Sequence, residues 1–185
     1  MKHNFTLLCL LFVTTLISCK NEQMTETEIM ENEISQTEAV GEAATTSSVK
    51  IGGTYSYGDD VEKGPVGTAL IFPVDENTVL FSLDISKGAP SYNMGKMEGK
   101  MKLNGNVGTY ESDLSDSYLN CSMIFEFFED KLSISYNNEK QECGFGNGVS
   151  ADTNYFLVDK TIPTHYFTGE GDEIPFETLA KELSE

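Results

Sequence analysis

The chain has 185 residues, with 12 Lys+Arg against 30 Asp+Glu and a formal charge of −18. This charge excludes a nucleic-acid-binding protein of the usual basic kind. Every cation is a Lys, so no guanidinium can clamp a phosphate or a carboxylate with two hydrogen bonds. Two His and four Cys are too few for a Cys/His zinc centre, and we expect neither a metal nor an organic cofactor.

The chain begins with a short cationic start that is followed by an apolar run. Lys2 precedes residues 5–17, which are mainly apolar, and this order is typical of a secretory signal peptide. The run is too short for a lasting transmembrane helix, which needs about 20 apolar residues. We therefore expect residues 1–18 to be a cleaved leader.

The leader ends in the string Leu16-Ile17-Ser18-Cys19, which resembles the lipobox of bacterial lipoproteins. In that family the Cys is acylated and becomes the first residue of the mature protein. The resemblance implies that Cys19 carries a lipid anchor with more than one acyl chain, as stable membrane attachment requires. Lys20 rather than Asp follows the Cys, so the outer membrane is the expected location, on its periplasmic face or at the cell surface. An ordinary cleaved signal peptide is the alternative.

A polar segment separates this leader from the rest of the chain. Residues 20–48 contain seven Glu and no aromatic residue, and such a segment cannot bury enough apolar surface to fold. We expect residues 19–48 to form the acylated Cys and a disordered acidic tether. Residues 49–185 hold ten Lys and 23 Asp and Glu, a charge of −13, and are numerous enough for one hydrophobic core.

The body of the chain is rich in predicted β-strands. Eight segments have an alternating or β-branched pattern: 51–57, 66–73, 77–84, 92–103, 106–112, 119–128, 131–136 and 153–158. Turn residues at 75–77, 104–106 and 129–130 predict hairpins. Residues 49–158 are therefore predicted to be all-β, as an eight-stranded antiparallel up-and-down barrel, with a two-sheet sandwich as the alternative. Residues 159–185 predict a hairpin and a short helix packed on the barrel.

The fourth segment predicts which of its sides faces the core. Lys96 and Lys100 alternate with Gly95, Gly99 and Met101. The charged side is expected to face water and the other side the interior. The two glycines on the inner side would permit the bending that a long barrel strand needs.

The cysteines predict one disulfide. Cleavage of the leader removes Cys9, and acylation would occupy Cys19. Cys121 and Cys143 are then an even pair in an exported chain, which favours a disulfide between them. Two reduced thiols are the alternative.

Two glycine-containing strings are the candidate binding loops. Residues 143–148 could bring backbone N–H groups close to an anion, but they lack the Lys-Ser/Thr pair of a phosphate-binding P-loop. Residues 88–95 place a Tyr and an Asn among small residues, and could alternatively be a bulged strand entry. If both strings share one end of the barrel, they would form a patch of aromatic and amide groups. Its members would be Ser91, Tyr92, Asn93, Phe145 and Asn147.

No catalytic or metal-binding residue is predicted. The acidic clusters at 59–62 and 113–116 lack the spacing of a known calcium loop. His165 is the only imidazole after the leader, and the sequence contains no Gly-x-Ser-x-Gly nucleophile elbow.

These features favour a non-enzymatic binding module, held at a membrane and facing an envelope or host protein. The lipobox, the short acidic barrel and the single disulfide together resemble membrane-bound lysozyme inhibitors, which block a strongly cationic enzyme. That resemblance covers the architecture and assigns no inhibitory residue here. A domain charge of −13 would accelerate encounter with a cationic partner. An envelope hydrolase built from Asp, Glu, Tyr and Ser is the alternative from another class.

Overall fold

The computed structural model of the chain describes residues 49–112 and 120–184, without the side chains of 138–140. The predicted leader, the tether, the lipidation site at Cys19 and the acidic cluster at 113–116 lie outside the described residues.

An antiparallel sheet of eight strands closes on itself into a barrel. The strands are β1 (Gly53–Tyr57), β2 (Val66–Asp75), β3 (Thr78–Ser86), β4 (Met94–Asn104), β5 (Val107–Glu111), β6 (Asn120–Phe127), β7 (Lys131–Glu142) and β8 (Thr153–Asp159). Each strand pairs with the next one in the chain, and β8 pairs with β1. The predicted up-and-down barrel is therefore confirmed, and its closure leaves no long edge between first and last strands.

Side chains of alternate residues fill the barrel interior, as the period of two predicts. The ring of Phe81 packs against those of Phe125 and Tyr110, with centroids 4.9 and 5.1 Å apart. Fully buried side chains from seven strands complete the core, including Tyr55, Ile71, Leu83, Met101, Met123, Phe127, Ile134 and Tyr155. The interior is a packed core of large side chains.

The inward glycines of β4 make room for aromatic rings. A Cβ added at Gly99 would lie 2.7 Å from the Tyr110 ring and 3.0 Å from the Phe81 ring, and one added at Gly95 would lie 2.6 Å from the Phe145 ring. The sequence predicts bending at these glycines. The contacts give them a more specific role, because any larger residue would displace a ring.

A C-terminal unit covers part of the outer surface of the barrel. It consists of β9 (His165–Phe167), β10 (Glu173–Pro175) and α1 (Phe176–Glu182), and β9 pairs with β10. Tyr166, Phe176 and Leu179 form a second buried cluster with Leu80 of β3. The predicted hairpin and helix are thus present, packed on the barrel.

This cover changes the environment of the outer face of β3 and β4. The sequence predicts one buried face for β3, but Leu80 and Ser82 on the other face are buried too. Lys96 was expected to face water, yet its side chain is only 19% exposed. Its ammonium lies 2.8 Å from the Asp84 carboxylate and 3.2 Å from the carbonyl oxygen of Thr168. Both predictions fail at these residues because the C-terminal unit lies over them, whereas Glu98 and Lys102 on the same side of β4 are exposed as expected.

Most strand ends lie within two residues of their predicted positions, and the end of β7 lies six residues further along the chain. β7 continues beyond residue 136, because its pairing with β6 resumes after an irregularity between Cys121 and Met123 and reaches Glu142. β4 begins at Met94 rather than at 92, because Tyr92 has a left-handed backbone with φ of 51°, which a regular strand excludes.

The predicted disulfide between Cys121 and Cys143 is confirmed. It joins β6 to the first residue after β7, and both cysteines are buried. The bond therefore fixes the start of the connection between β7 and β8 to the barrel wall.

We predict that the double substitution Cys121→Ala and Cys143→Ala lowers the free energy of unfolding by about 2–5 kcal/mol, because the unfolded chain gains entropy when the crosslink is lost. Urea unfolding followed by circular dichroism measures the loss. Reduction of the wild-type protein is the control and should give a similar loss. Equal unfolding free energies for the double variant and the oxidised protein would contradict the prediction.

Candidate functional site

The connections between strands differ in length at the two ends of the barrel. At one end, which we call the turn pole, residues 76–77, 105–106 and 128–130 form short turns. At the other end, the loop pole, the chain takes the longer paths 58–65, 87–93 and 143–152. Residues 113–119, between β5 and β6 in the chain, are outside the described residues. Longer connections are where binding residues are usually found.

The string 88–95 is hydrogen-bonded to the first long connection, residues 58–65. The backbone N–H of Ala89 donates to the Val61 carbonyl at 2.9 Å. Gly88 has φ of 73°, and an added Cβ would lie 2.2 Å from the Gly64 carbonyl oxygen. Only a glycine fits this approach without displacing backbone. The two loops therefore form one joined surface.

The string 143–148 forms hydrogen bonds with Asn93 and Met94 of the string 88–95. The Asn93 side-chain amide donates to the Asn147 carbonyl at 2.7 Å, and the backbone N–H of Gly146 donates to the Met94 carbonyl at 2.9 Å. Phe145 packs over Gly95 and is half-buried. The two strings singled out from the sequence thus meet at one pole of the barrel.

The five candidate binding residues share the loop pole but have different surroundings. Asn93 and Phe145 join the two loops. Ser91 and Asn147 are exposed. Tyr92 is 46% exposed, and its hydroxyl donates to a Glu62 carboxylate oxygen at 2.6 Å, an interaction that raises the pKa of the Tyr92 phenol. Ser91, Tyr92 and Asn147 therefore present accessible polar or aromatic groups. The other two residues hold the loops together.

A cavity of about 350 Å³ opens beside these loops, and sequence reasoning missed it. It lies at the mouth of the barrel between the ends of β1 and β3 and the start of β8. Its walls include Tyr57, Pro65, Ile85, Lys87, Val149 and Asp152. The position of Lys87 directly after the buried strand β3 was the one sequence feature that could have indicated a site here. The residues that complete the cavity come from three separate connections and are distant in the sequence.

Three tyrosines lie beneath this mouth. The rings of Tyr57 and Tyr155 meet edge to face, with centroids 4.8 Å apart. The Tyr136 hydroxyl accepts a hydrogen bond from the backbone N–H of Ala151 at 3.2 Å. Burial raises the pKa of the Tyr155 phenol well above its usual value, and the phenols of Tyr57 and Tyr136 raise it further. The Tyr155 hydroxyl is buried and has no hydrogen-bond partner within the described part of the chain.

The acidic cluster at 59–62 is engaged in contacts within the pole. The Asp60 carboxylate lies 2.8 Å from the Lys63 ammonium and accepts from the Glu62 backbone N–H at 3.0 Å. These contacts lower the pKa of Asp60, with the Lys63 contact the larger cause. Among residues 49–112 and 120–184, no group of three His, Cys, Asp or Glu side chains is placed to hold a metal ion.

His165 lies on the C-terminal unit and not among the long loops. It is exposed, and its Nδ1 is 2.9 Å from the hydroxyl oxygen of the adjacent Thr164. Within residues 49–112 and 120–184, neither a Ser hydroxyl nor a carboxylate, the partners of a His in a catalytic triad, contacts the His165 ring.

No protein-family model, curated protein or solved structure matches the chain. Over the part of the chain that the structure describes, no helix combines the length and the apolar character that a membrane crossing requires.

We predict that Tyr155→Phe raises the free energy of unfolding by about 1 kcal/mol, because it removes a buried hydroxyl that has no partner. The matched variant Tyr136→Phe should lower it by about 1 kcal/mol, because the buried Ala151 N–H loses its acceptor. Urea unfolding of both variants measures the difference. A loss of stability in Tyr155→Phe would show that a ligand or water bonds this hydroxyl.

We also predict how the free energy of unfolding of Tyr155→Phe depends on pH. Because the pKa of Tyr155 is raised in the folded protein, the unfolded state releases this proton first, near the usual value of 10.0. The wild-type stability is therefore present below that pH and is lost as the pH rises toward the folded-state pKa. Tyr155→Phe should lose less stability than the wild type in this alkaline range.

Proposed function

We propose that the chain is a lipid-anchored protein of the cell envelope, a non-enzymatic module whose loop pole binds a partner. The lipobox-like string ending at Cys19 supports the anchor, and the barrel supports the module. The single observation that carries the proposal is the placement of the chain entry. Gly52, directly before β1, lies against Pro73 and Ile162 at the turn pole.

This placement determines which end of the barrel the tether joins. Val49 and Ile51 pack against the core as the chain enters β1. A tether that joins the body there leaves the long loops at the opposite end of the barrel. The point of attachment would then leave the loop pole uncovered, so that a partner can reach it.

The charge of the body supports a cationic partner. Residues 49–185 carry −13, and Asp59, Glu62 and Asp152 are exposed at the loop pole. A negatively charged surface increases the rate of encounter with a positively charged partner, and added salt weakens this effect. A cationic envelope or host protein, as in the lysozyme inhibitors that the architecture resembles, is the proposed class of partner.

We predict that Cys19→Ser moves the protein from the membrane fraction to the soluble fraction, because acyl chains provide the anchor and their loss removes several kcal/mol of membrane affinity. Fractionation of cells with quantitative immunoblotting measures the change. The matched control is Cys9→Ser, a substitution inside the predicted leader that should leave the protein in the membrane fraction. Unchanged sedimentation of Cys19→Ser would contradict the lipid anchor.

We predict that the paired variant Asp59→Asn and Glu62→Gln slows association with a cationic lysozyme by about three- to tenfold at low salt. Surface plasmon resonance with the full chain measures the rate. The control pair, Glu129→Gln and Asp130→Asn, removes the same charge from the turn pole and should change the rate less. Equal effects of the two pairs would contradict a loop-pole interface, and no binding by the wild type would exclude lysozyme as the partner.

A further inference from the structure

The mouth cavity contains two opposite charges that do not neutralise each other. Lys87 and Asp152 both line it. Neither the ammonium nor the carboxylate has an ion-pair or hydrogen-bond partner in the described ranges, since the ion pairs found there are Lys63 with Asp60 and Lys96 with Asp84. Asp152 contributes only its backbone N–H to a hydrogen bond, which the Ser150 hydroxyl accepts. The cavity thus offers one free cation and one free anion.

The Lys87 ammonium lies close to Gly148. Its Nζ lies where a side chain at position 148 would be, since a Cβ added at Gly148 would approach it to 2.5 Å. Gly148 has φ of 73°, a conformation that disfavours any larger residue. The glycine therefore leaves room for the ammonium at the cavity.

The remaining walls are mainly apolar. Pro65, Ile85 and Val149 line the cavity together with the Tyr57 ring, and Ser86, Ser150 and Thr153 add hydroxyl-bearing side chains. The Tyr57 hydroxyl has no hydrogen-bond partner among residues 49–112 and 120–184. A pocket with apolar walls and a few unpaired polar groups is the usual form of a small-molecule site, and about 350 Å³ lies at the small end of such pockets.

We propose that this cavity binds a small zwitterion, an α-amino acid with an aliphatic side chain. Lys87 would hold the carboxylate, Asp152 the ammonium and the apolar walls the side chain. A simple anion would meet the Asp152 carboxylate and a protein charge of −18, and a simple cation would meet Lys87. A zwitterion satisfies both charges and carries no net charge to be repelled. The inference goes beyond the proposed function, because it requires neither the anchor nor the protein partner.

The test is a titration of the purified, isotope-labelled full chain with L-leucine, followed by NMR of its backbone amides. We expect saturable shifts at Lys87, Gly148, Val149 and Ser150. N-acetyl-L-leucine lacks the cation and L-leucine methyl ester lacks the anion, so each should bind at least about fivefold more weakly. This comparison uses the wild-type protein alone and does not depend on the folding of a variant.

Variants of two lysines at the same pole complete the test. Lys87→Met should weaken leucine binding at least about tenfold, and Lys87→Arg should restore most of it. Lys63→Met, which removes a charge from the 78% exposed lysine paired with Asp60, should leave the affinity unchanged. The proposal is overturned if leucine gives no saturable shift up to about 20 mM, if the shifts lie away from the cavity, or if N-acetyl-L-leucine binds as tightly as leucine.

Discussion

Closure of the sheet around a filled interior is the constraint on which the rest of the molecule depends. Pairing of β8 with β1 completes the barrel, and the rings of Phe81, Phe125 and Phe127 occupy space that a carrier protein would leave for a ligand. Such large buried side chains each contribute about 1.5–3 kcal/mol through removal of apolar surface from water. Because the interior is occupied, a partner of the proposed kind would have to contact the outer surface or the ends of the barrel.

Because the barrel has an even number of antiparallel strands, the first strand begins and the last strand ends at the same pole. The chain enters β1 and leaves β8 at the turn pole, where the other connections are tight. The longer connections collect at the loop pole, and specific contacts hold them together: the Cys121–Cys143 disulfide, the Asn93 amide on the Asn147 carbonyl, and the close approach of Gly88 to the first loop. A surface ordered in advance loses less conformational entropy when it binds.

Local sequence patterns were sufficient to predict the barrel, its hairpins and the disulfide, because strand alternation, turn residues and cysteine pairing are short-range or compositional signals. Whether both candidate strings lie at one pole stayed a condition in the sequence analysis, and the contacts between Asn93 and Asn147 and between Met94 and Gly146 show that they do. Burial of Leu80 and partial burial of Lys96 were not predictable in this way, because they result from a C-terminal unit, distant in the sequence, that packs on β3 and β4. The mouth cavity was missed for the same reason, since Tyr57, Lys87 and Asp152 become neighbours only when the sheet closes.

Site-specific photo-crosslinking in intact cells would show whether a partner binds at the loop pole. A photoreactive phenylalanine analogue would replace Ser91 or Asn147, which are exposed at the loop pole, or Glu76 or Glu129, which are exposed at the turn pole. We expect discrete crosslinked adducts from the first two positions and none from the other two. Adducts formed only from the turn pole would contradict this expectation.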